Sequence, residues 1–198
     1  AVGEVGIARA RHAKTDGQLP KAKRIAIHTK TLLARDDLPV ESQRQLDLHR
    51  VVLEAEFGNV KNAFDLADVL LVGSSVENQV EIHELMVDIA IAHRHVEQAR
   101  TSLDQLPRTE VTDGQRLRLE ASVAMSEQRW GDATETLEAA RRILAETPEQ
   151  LAKVDLDLAV CLGMRGQVED QLVAYRRVLK YAPQLVEARR GLASTLAT

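Results

Sequence analysis

Six histidines are the residues of this chain that could bind a metal ion or exchange protons near neutral pH. A zinc site on a helix needs ligands four residues apart or in a comparable cluster. His93 and His95 are two residues apart at a predicted helix end, and His83-Glu84 lacks the second histidine of an H-E-x-x-H pair. We therefore expect turn or surface histidines and no metal site. The six are His12, His28, His49, His83, His93 and His95.

The nucleophiles and carboxylates form no catalytic arrangement either. No phosphate-binding G-x-x-x-x-G-K-[ST], no dinucleotide-binding G-x-G-x-x-G and no G-x-S-x-G nucleophile motif occurs. Asp155 and Asp157 are two residues apart on a predicted helix, so they would point to different sides. Cys161 lies in the apolar stretch 158–162, where burial raises a thiol pKa and favours packing. We expect no catalytic residue, no enzymatic activity and no cofactor.

The composition favours helices that pack closely against one another. The 198 residues include 26 alanines and 26 leucines but five aromatic residues, a balance unlike that of a β-sandwich or barrel. No apolar run approaches the roughly 18–20 residues of a membrane-spanning helix, so we expect no membrane insertion. The single cysteine cannot form an internal disulfide, which implies no oxidising compartment and excludes none.

The charges are distributed unevenly along the chain, whose formal net charge is −4. Residues 1–35 hold eight Lys or Arg against two Asp or Glu, whereas residues 36–113 hold six against sixteen. Two interpretations follow. The uneven charge could steer a charged partner, or neighbouring segments of opposite sign could pack against each other.

A repeated pattern of paired helices runs through the sequence. An apolar residue opens every second helix and a small residue follows three positions later, at steps of 41, 36, 34 and 38 residues. Such positions share one helix face, and the small residue lets a neighbouring helix approach closely. Trp130, in one of the apolar positions, is therefore predicted to pack between the helices of its unit. The pairs are Leu19 with Ala22, Val60 with Ala63, Val96 with Ala99, Trp130 with Ala133, and Val168 with the exception Gln171.

Glycines mark three of the turns between paired helices. Gly17, Gly58 and Gly166 each lie two residues before the apolar opener and are expected to supply the positive φ that ends the preceding helix. Arg94 and Gln128 occupy that position in the other two units. We therefore expect those two turns to be built differently.

Prolines mark further helix ends. Pro20 is expected to begin a helix, whereas Pro39, Pro107, Pro148 and Pro183 are expected to end helices. The predicted helices are 3–16 and 19–35, 40–56 and 60–73, 77–93 and 96–106, 114–128 and 130–146, 149–164 and 168–181, with an unpaired helix at 184–197.

The last full unit resembles the tetratricopeptide repeat (TPR), a helix–turn–helix module of 34 residues. The matching residues are Leu158, Ala159, Gly166, Tyr175, Leu179 and Pro183, while Gln171 replaces the family's small residue and should loosen the packing locally. The resemblance extends over one solenoid domain, 1–198, with repeats at about 1–36, 37–75, 76–108, 109–147 and 148–183 and a terminal helix at 184–198. It implies an all-α fold, a right-handed α-α superhelix of about five helix-turn-helix repeats plus a C-terminal helix.

The resemblance also implies a concave groove, lined by the first helix of each repeat, that binds partner proteins or peptides. The expected exposed groove positions are Glu84, Asp88, Arg118, Ser122, Met125, Val160, Met164 and Arg190. The Lys/Asn clamp with which some family members hold a terminal carboxylate is missing, since its positions hold Leu48 and Val52, Glu84 and Asp88, and Arg118 and Ser122. Met125 and Met164 instead favour an amphipathic helix as ligand.

We therefore expect a protein-interaction scaffold that binds a protein or peptide, as a fragment of a longer repeat protein. The alternative is a regulatory or targeting segment of a larger enzyme or of a secretion or assembly machine. Nucleic acid is not expected as a partner, because residues 36–113 are acidic and the first helices lack aromatic residues apart from Phe57.

The helix at 184–197 has two interpretations. Glu187, Arg189 and Arg190 could make it a polar cap, as solenoids require. Alternatively, it is the first helix of a truncated unit. Its Leu185, Leu192 and Leu196 would then lack the second helix that normally covers them.

Overall fold

The computed structural model describes residues 2–33, 40–108 and 110–197, with side chains described for 4–31, 43–108 and 113–197. These residues form eleven α-helices and no β-strand. Each described helix is too short or too polar to cross a lipid bilayer. The helices are α1 (Val2–Thr15), α2 (Leu19–Leu33), α3 (Val40–Phe57), α4 (Val60–Leu71), α5 (Val76–Ala92), α6 (Val96–Asp104), α7 (Glu110–Ser126), α8 (Trp130–Ile143), α9 (Pro148–Met164), α10 (Val168–Tyr181) and α11 (Val186–Leu196).

The predicted helices are confirmed, with corrections at their ends. Pro20 lies in the first turn of α2, and Pro107 and Pro183 follow α6 and α10, as expected. Pro148 was expected to end a helix, and this is wrong, because it is the first residue of α9. A proline costs nothing there, since the N–H that it lacks has no partner in the first turn. Residues 34 and 35 of the second predicted helix, and the expected stop at Pro39, lie outside the described residues.

The chain divides into two compact units, Ala1–Ile89 and Ala90–Thr198, with the boundary inside α5. In the first unit, one core joins α1, α2 and α3, and a second core joins α3, α4 and α5. In the second unit, one core extends from α7 to α11. Its fully buried leucines are Leu137 and Leu158, and each contributes about 1.5–3 kcal/mol through burial.

Alanines lie where paired helices meet. Ala22, Ala63, Ala99 and Ala133 are each 0 % exposed, which confirms the expected close approach. The apolar openers are less buried than these alanines. Leu19 and Val168 are exposed, while Trp130 is half-buried and packs against the core of the second unit, as predicted.

Gln171, the exception among the small residues, is accommodated by a glycine on the facing helix. A Cβ built on Gly163 of α9 would come within 2.2 Å of the amide nitrogen of the Gln171 side chain. The larger residue on α10 therefore faces the smallest residue on α9. The expectation of locally loosened packing is wrong, because the space left by the missing side chain of Gly163 is occupied by the side chain of Gln171.

The turns that were expected to differ are built alike. Arg94 and Gln128 both have φ 61°, close to the 73° of Gly17 and Gly166. After each of the four, the next backbone N–H donates to a carbonyl five residues back, over 2.8 to 2.9 Å. This bond satisfies a carbonyl that the helix end leaves free. Gly58 is the real exception, since it does not have a positive φ.

The terminal helix α11 is partly covered. Leu185 and Leu192 pack against the core of the second unit, and Ala188 is 0 % exposed. A Cβ on Gly191 would come within 2.3 Å of the Tyr175 ring, so glycine is required for this approach. Leu196 alone of the three leucines is exposed. The preceding helices therefore cover Leu185 and Leu192 in part.

The non-glycine residues with positive φ predict a stabilising substitution. A left-handed backbone costs an L residue about 1–2 kcal/mol, whereas glycine adopts it freely. We expect Gln128→Gly to stabilise the second unit by about 0.5–1 kcal/mol after the added entropy of the unfolded chain is subtracted. Urea unfolding followed by circular dichroism measures this change.

The reverse substitution is Gly166→Ala, which should destabilise by about 1 kcal/mol because its φ is 73°. Gly131→Ala is the matched control, since Gly131 lies in α8 and a Cβ there meets no atom within 4 Å. It should be neutral or slightly stabilising. Equal losses for the two alanine variants would contradict the assignment of strain to the turn.

Candidate partner-binding surface

The eight expected groove residues all lie on the first helix of a pair, or on α11. Glu84 and Asp88 lie one turn apart on α5 in the first unit. The other six belong to the second unit: Arg118, Ser122 and Met125 on α7, Val160 and Met164 on α9, and Arg190 on α11. Each unit therefore has its own set of candidate residues.

Arg118 is buried rather than exposed. Its exposed fraction is 7 %, and its Nη1 lies 3.6 Å from Oδ2 of Asp157 on α9. The expected exposure is therefore wrong, because the guanidinium lies between two first helices and is held by a carboxylate of the second. Ser122 is half-buried, and its hydroxyl donates to the carbonyl oxygen of Arg118 over 3.1 Å. The ion pair of Arg118 therefore joins α7 to α9, whereas the hydrogen bond of Ser122 lies within α7.

The exposed part of this surface is apolar. Val160 is 38 % and Met164 60 % exposed, and they lie one turn apart on α9. Met125 on α7 is half-buried against the core of the second unit. We call Met125, Val160 and Met164 the α7–α9 surface. Arg190 is exposed on α11, which packs against α10.

In the first unit, the candidate residues are acidic and adjoin a buried histidine. Glu84 is half-buried and Asp88 is exposed. His83 is only 4 % exposed, so the expectation of a turn or surface histidine is wrong for this residue. Burial lowers the pKa of His83 below its usual 6.5, against the opposing effect of the Asp68 charge. His12, His28, His93 and His95 are exposed, and His49 is half-buried.

Many of the remaining charges are paired between neighbouring helices. In the first unit, Arg11 of α1 donates to Glu56 of α3 over 2.8 Å, and Lys30 of α2 pairs with Glu54 of α3. The basic first segment thus packs partly against the acidic one that follows. This supports the second of the two interpretations of the uneven charge.

Asp155 and Asp157 point to different sides of α9, as predicted. Asp155 is 1 % exposed, and its Oδ1 accepts from Nε of Arg177 on α10 over 2.8 Å and lies 2.7 Å from Nη2 of the same guanidinium. Nε of Arg141 on α8 lies 3.3 Å from the same oxygen. Asp157 instead faces Arg118. Both carboxylates therefore join helices.

The side chains that the structure describes include no group of three or more His, Cys, Asp or Glu placed to hold a metal ion. Cys161 is 0 % exposed, and burial, followed by the charge of Asp157, raises its pKa to about 11. This confirms the predicted packing role of the thiol.

Comparison with known proteins identifies solved structures with a similar fold but no sequence relative. No protein-family model matches the sequence, and no curated protein matches it. A thermophilic TPR protein of Thermus thermophilus is 16 % identical at a TM-score of 0.59, over 99 % of this chain and 100 % of that chain. The chain has a TPR-like helical repeat fold. A second structure, of nearly identical TPR-like repeats described as a putative kinesin light chain from Podospora anserina, is 18 % identical at a TM-score of 0.46, over 98 % of this chain and 96 % of that chain.

The burial of His83 in the TPR-like fold predicts a pH dependence of stability. Its folded pKa lies below 6.5. As the pH falls through 6.5, His83 is therefore protonated in the unfolded chain before it is protonated in the folded chain. The free energy of unfolding decreases as a result. We expect urea midpoints to fall between about pH 6.5 and 5, and to fall less in His83→Gln. His28→Gln, at an exposed position of the same unit, should leave the slope unchanged. A slope that is identical in the His83→Gln variant and the wild type would refute this assignment.

The burial of Cys161 predicts an unreactive thiol. Because the thiolate is the nucleophile, a pKa of about 11 and complete burial should make disulfide exchange with Ellman's reagent slow at about pH 8 until the second unit unfolds. Val160→Cys in a Cys161→Ala background is the matched control. Position 160 is one residue away, and its native valine is 38 % exposed. The thiol of this control should react at least about tenfold faster. Similar rates for both thiols would show that α9 opens readily.

Proposed function

We propose that this chain is a protein-interaction scaffold without catalytic activity of its own. It binds a peptide or a segment of a partner protein along the first helices of its TPR-like repeats. The observation that carries the proposal is the exposed apolar pair Val160 and Met164 on α9. The repeats are the five helix pairs with the boundaries that the sequence predicts.

The α7–α9 surface suits an apolar helix face. Residues one turn apart on α9 match the i, i+4 spacing with which an amphipathic helix presents its anchors. Methionine has a flexible and polarisable side chain, so Met164 and Met125 can adapt to ligands of different shape. Covering Val160 and Met164 would stabilise a complex by about 1–2 kcal/mol for each side chain.

Exposed charged residues give the ligand its orientation. Arg190 on α11 and Arg165, immediately after α9, are exposed cations in the second unit. Arg118 has a different role, since its ion pair with Asp157 fixes α7 against α9 beneath the ligand. In the first unit, Glu84 and Asp88 provide an acidic site for basic residues of a partner.

Selection from a library of displayed linear peptides tests this function. Peptides selected on the purified chain should include amphipathic helices that lose at least about tenfold in affinity when Met164→Glu and Val160→Asp are introduced together. That loss corresponds to about 1.4 kcal/mol, less than the burial of the two side chains contributes. Fluorescence anisotropy with the labelled peptides measures the affinities.

The matched control is Val173→Asp on α10, a second helix. Val173 is 46 % exposed, so its substitution should perturb the fold as little as the substitutions at Val160 and Met164 do. Its binding should match that of the wild type. The first-helix site is disproved if the selected peptides bind the α9 double variant with unchanged affinity, or if their affinity falls equally in the Val173→Asp control.

The double substitution Glu84→Lys with Asp88→Lys tests the acidic site of the first unit in the same way. Charge reversal of Arg118 is unsuitable, because it breaks a buried ion pair.

A further inference from the structure

Helix α2 carries the largest excess of basic residues among the described helices of the first unit, and it is not one of the first helices that form the proposed binding site. Helix α2 contains four Lys or Arg and no acidic residue. Lys21, Lys23 and Arg24 are exposed, and none of them forms an ion pair with a residue that the structure describes. Lys30 is the exception, because it pairs with Glu54. Three cations on this helix therefore have their charge available to a ligand.

An exposed apolar side chain lies among these cations. Ile27 is 60 % exposed, and its neighbours on the helix surface, four and three residues before it, are Lys23 and Arg24. The buried face of α2 is formed by Ala22, Ala26 and Thr29, so Ile27 points away from the core. We call Lys21, Lys23, Arg24 and Ile27 the α2 face.

A depression adjoins Ile27 and gives the α2 face a defined shape. Its volume is about 460 Å³, within the range of about 300–1,000 Å³ that is typical of ligand sites. Ile27 and Leu66 supply apolar walls, and the Lys30–Glu54 pair supplies a polar one. The lining residues are Ile27, Lys30 and Thr31 of α2, Arg50 and Glu54 of α3, and Leu66 of α4.

We propose that the α2 face binds an acidic segment of a partner protein, with one large apolar side chain of that segment seated in the depression beside Ile27. Carboxylates on either side of this anchor pair with Lys23, Arg24 and Lys21. Charge complementarity identifies the occupant, because the helix offers no anion and three exposed cations that form no ion pair within the described part of the chain. The apolar anchor follows from the concave wall formed by Ile27 and Leu66.

A nucleic acid and an anionic membrane fit this surface less well. Base stacking is strongest on exposed Phe, Tyr or Trp rings, and α2 has none of these, while Phe57 of the adjoining core is buried beneath Lys14. A bilayer surface is broad and flat, so it would leave a depression beside Ile27 unfilled. A peptide side chain fills it.

Peptide selection on the full chain tests the proposal. Displayed peptides are selected on Met164→Glu, in which the proposed first-helix site is disrupted, so that failure of that function does not affect this result. Peptides that also bind Lys23→Glu/Arg24→Glu are removed by counter-selection. We expect the remaining peptides to be rich in Asp and Glu around one Leu, Ile, Phe or Met. Their affinity should fall at least about tenfold in Lys23→Glu/Arg24→Glu and at least about fivefold in Ile27→Asp, and should weaken with salt.

The control variant is Arg176→Glu/Lys180→Glu on α10, in the other unit. This variant changes the net charge by the same amount at exposed positions, and it should bind the selected peptides with the same affinity as the wild type. Circular dichroism of every variant checks the fold. The proposal fails if the counter-selected peptides are not acidic, if both charge variants lose affinity equally, or if Ile27→Asp has no effect.

Vesicles of about three parts phosphatidylcholine to one part phosphatidylserine, and single-stranded oligothymidylate, are the competing probes. The proposal is overturned if the vesicles or the oligothymidylate bind saturably, lose this binding in Lys23→Glu/Arg24→Glu, and compete with the selected peptides. The α2 face would then be assigned to that ligand. Absence of such binding supports the proposal.

Discussion

The close approach of neighbouring helices, permitted by small residues at the points of contact, is the constraint on which this structure depends. A helix pair joined by a short turn buries one narrow stripe, so its stability depends on contact with the next helix as well. Ala22, Ala63, Ala99 and Ala133 are completely buried at these contacts. Where the second helix carries the larger Gln171, the first helix carries Gly163. At this contact the smaller of the two facing residues is on the first helix instead of the second, so the two helices can still approach closely.

This constraint explains which features of the fold could be predicted from the sequence. Helices and their buried alanines follow from the spacing of apolar and small residues, because that spacing determines which side chains share a face. The turns could not be predicted in the same way. Arg94 and Gln128 adopt the positive φ of Gly17 and Gly166 because the chain must reverse and satisfy the terminal carbonyls, whatever residue is present. Local preference is overridden by the geometry of the helix pair.

The candidate binding residues could be predicted only as positions on first helices. Arg118 had the spacing of an exposed residue, yet it is buried, because Asp157 on another first helix supplies its counter-charge. Sequence spacing within one helix carries no information about a partner 39 positions away. Asp155 shows the same effect, since its two arginine neighbours come from α8 and α10. Apolar residues were easier to interpret: Val160 and Met164 share a face of α9 that the core leaves exposed, although Cys161 and Leu162 between them are buried.

The division between paired and unpaired charges therefore carries more functional information than the charge total. Ion pairs between helices use Arg11, Lys30 and Arg118 to maintain packing, so these cations contribute little to a field outside the protein. On α2 the situation is reversed. The helix packs through Ala22 and Ala26, which need no charge, so Lys21, Lys23 and Arg24 are not required by the core. Each can be substituted without leaving a buried charge unpaired, and this separates the effect of these charges on binding from any effect on the fold.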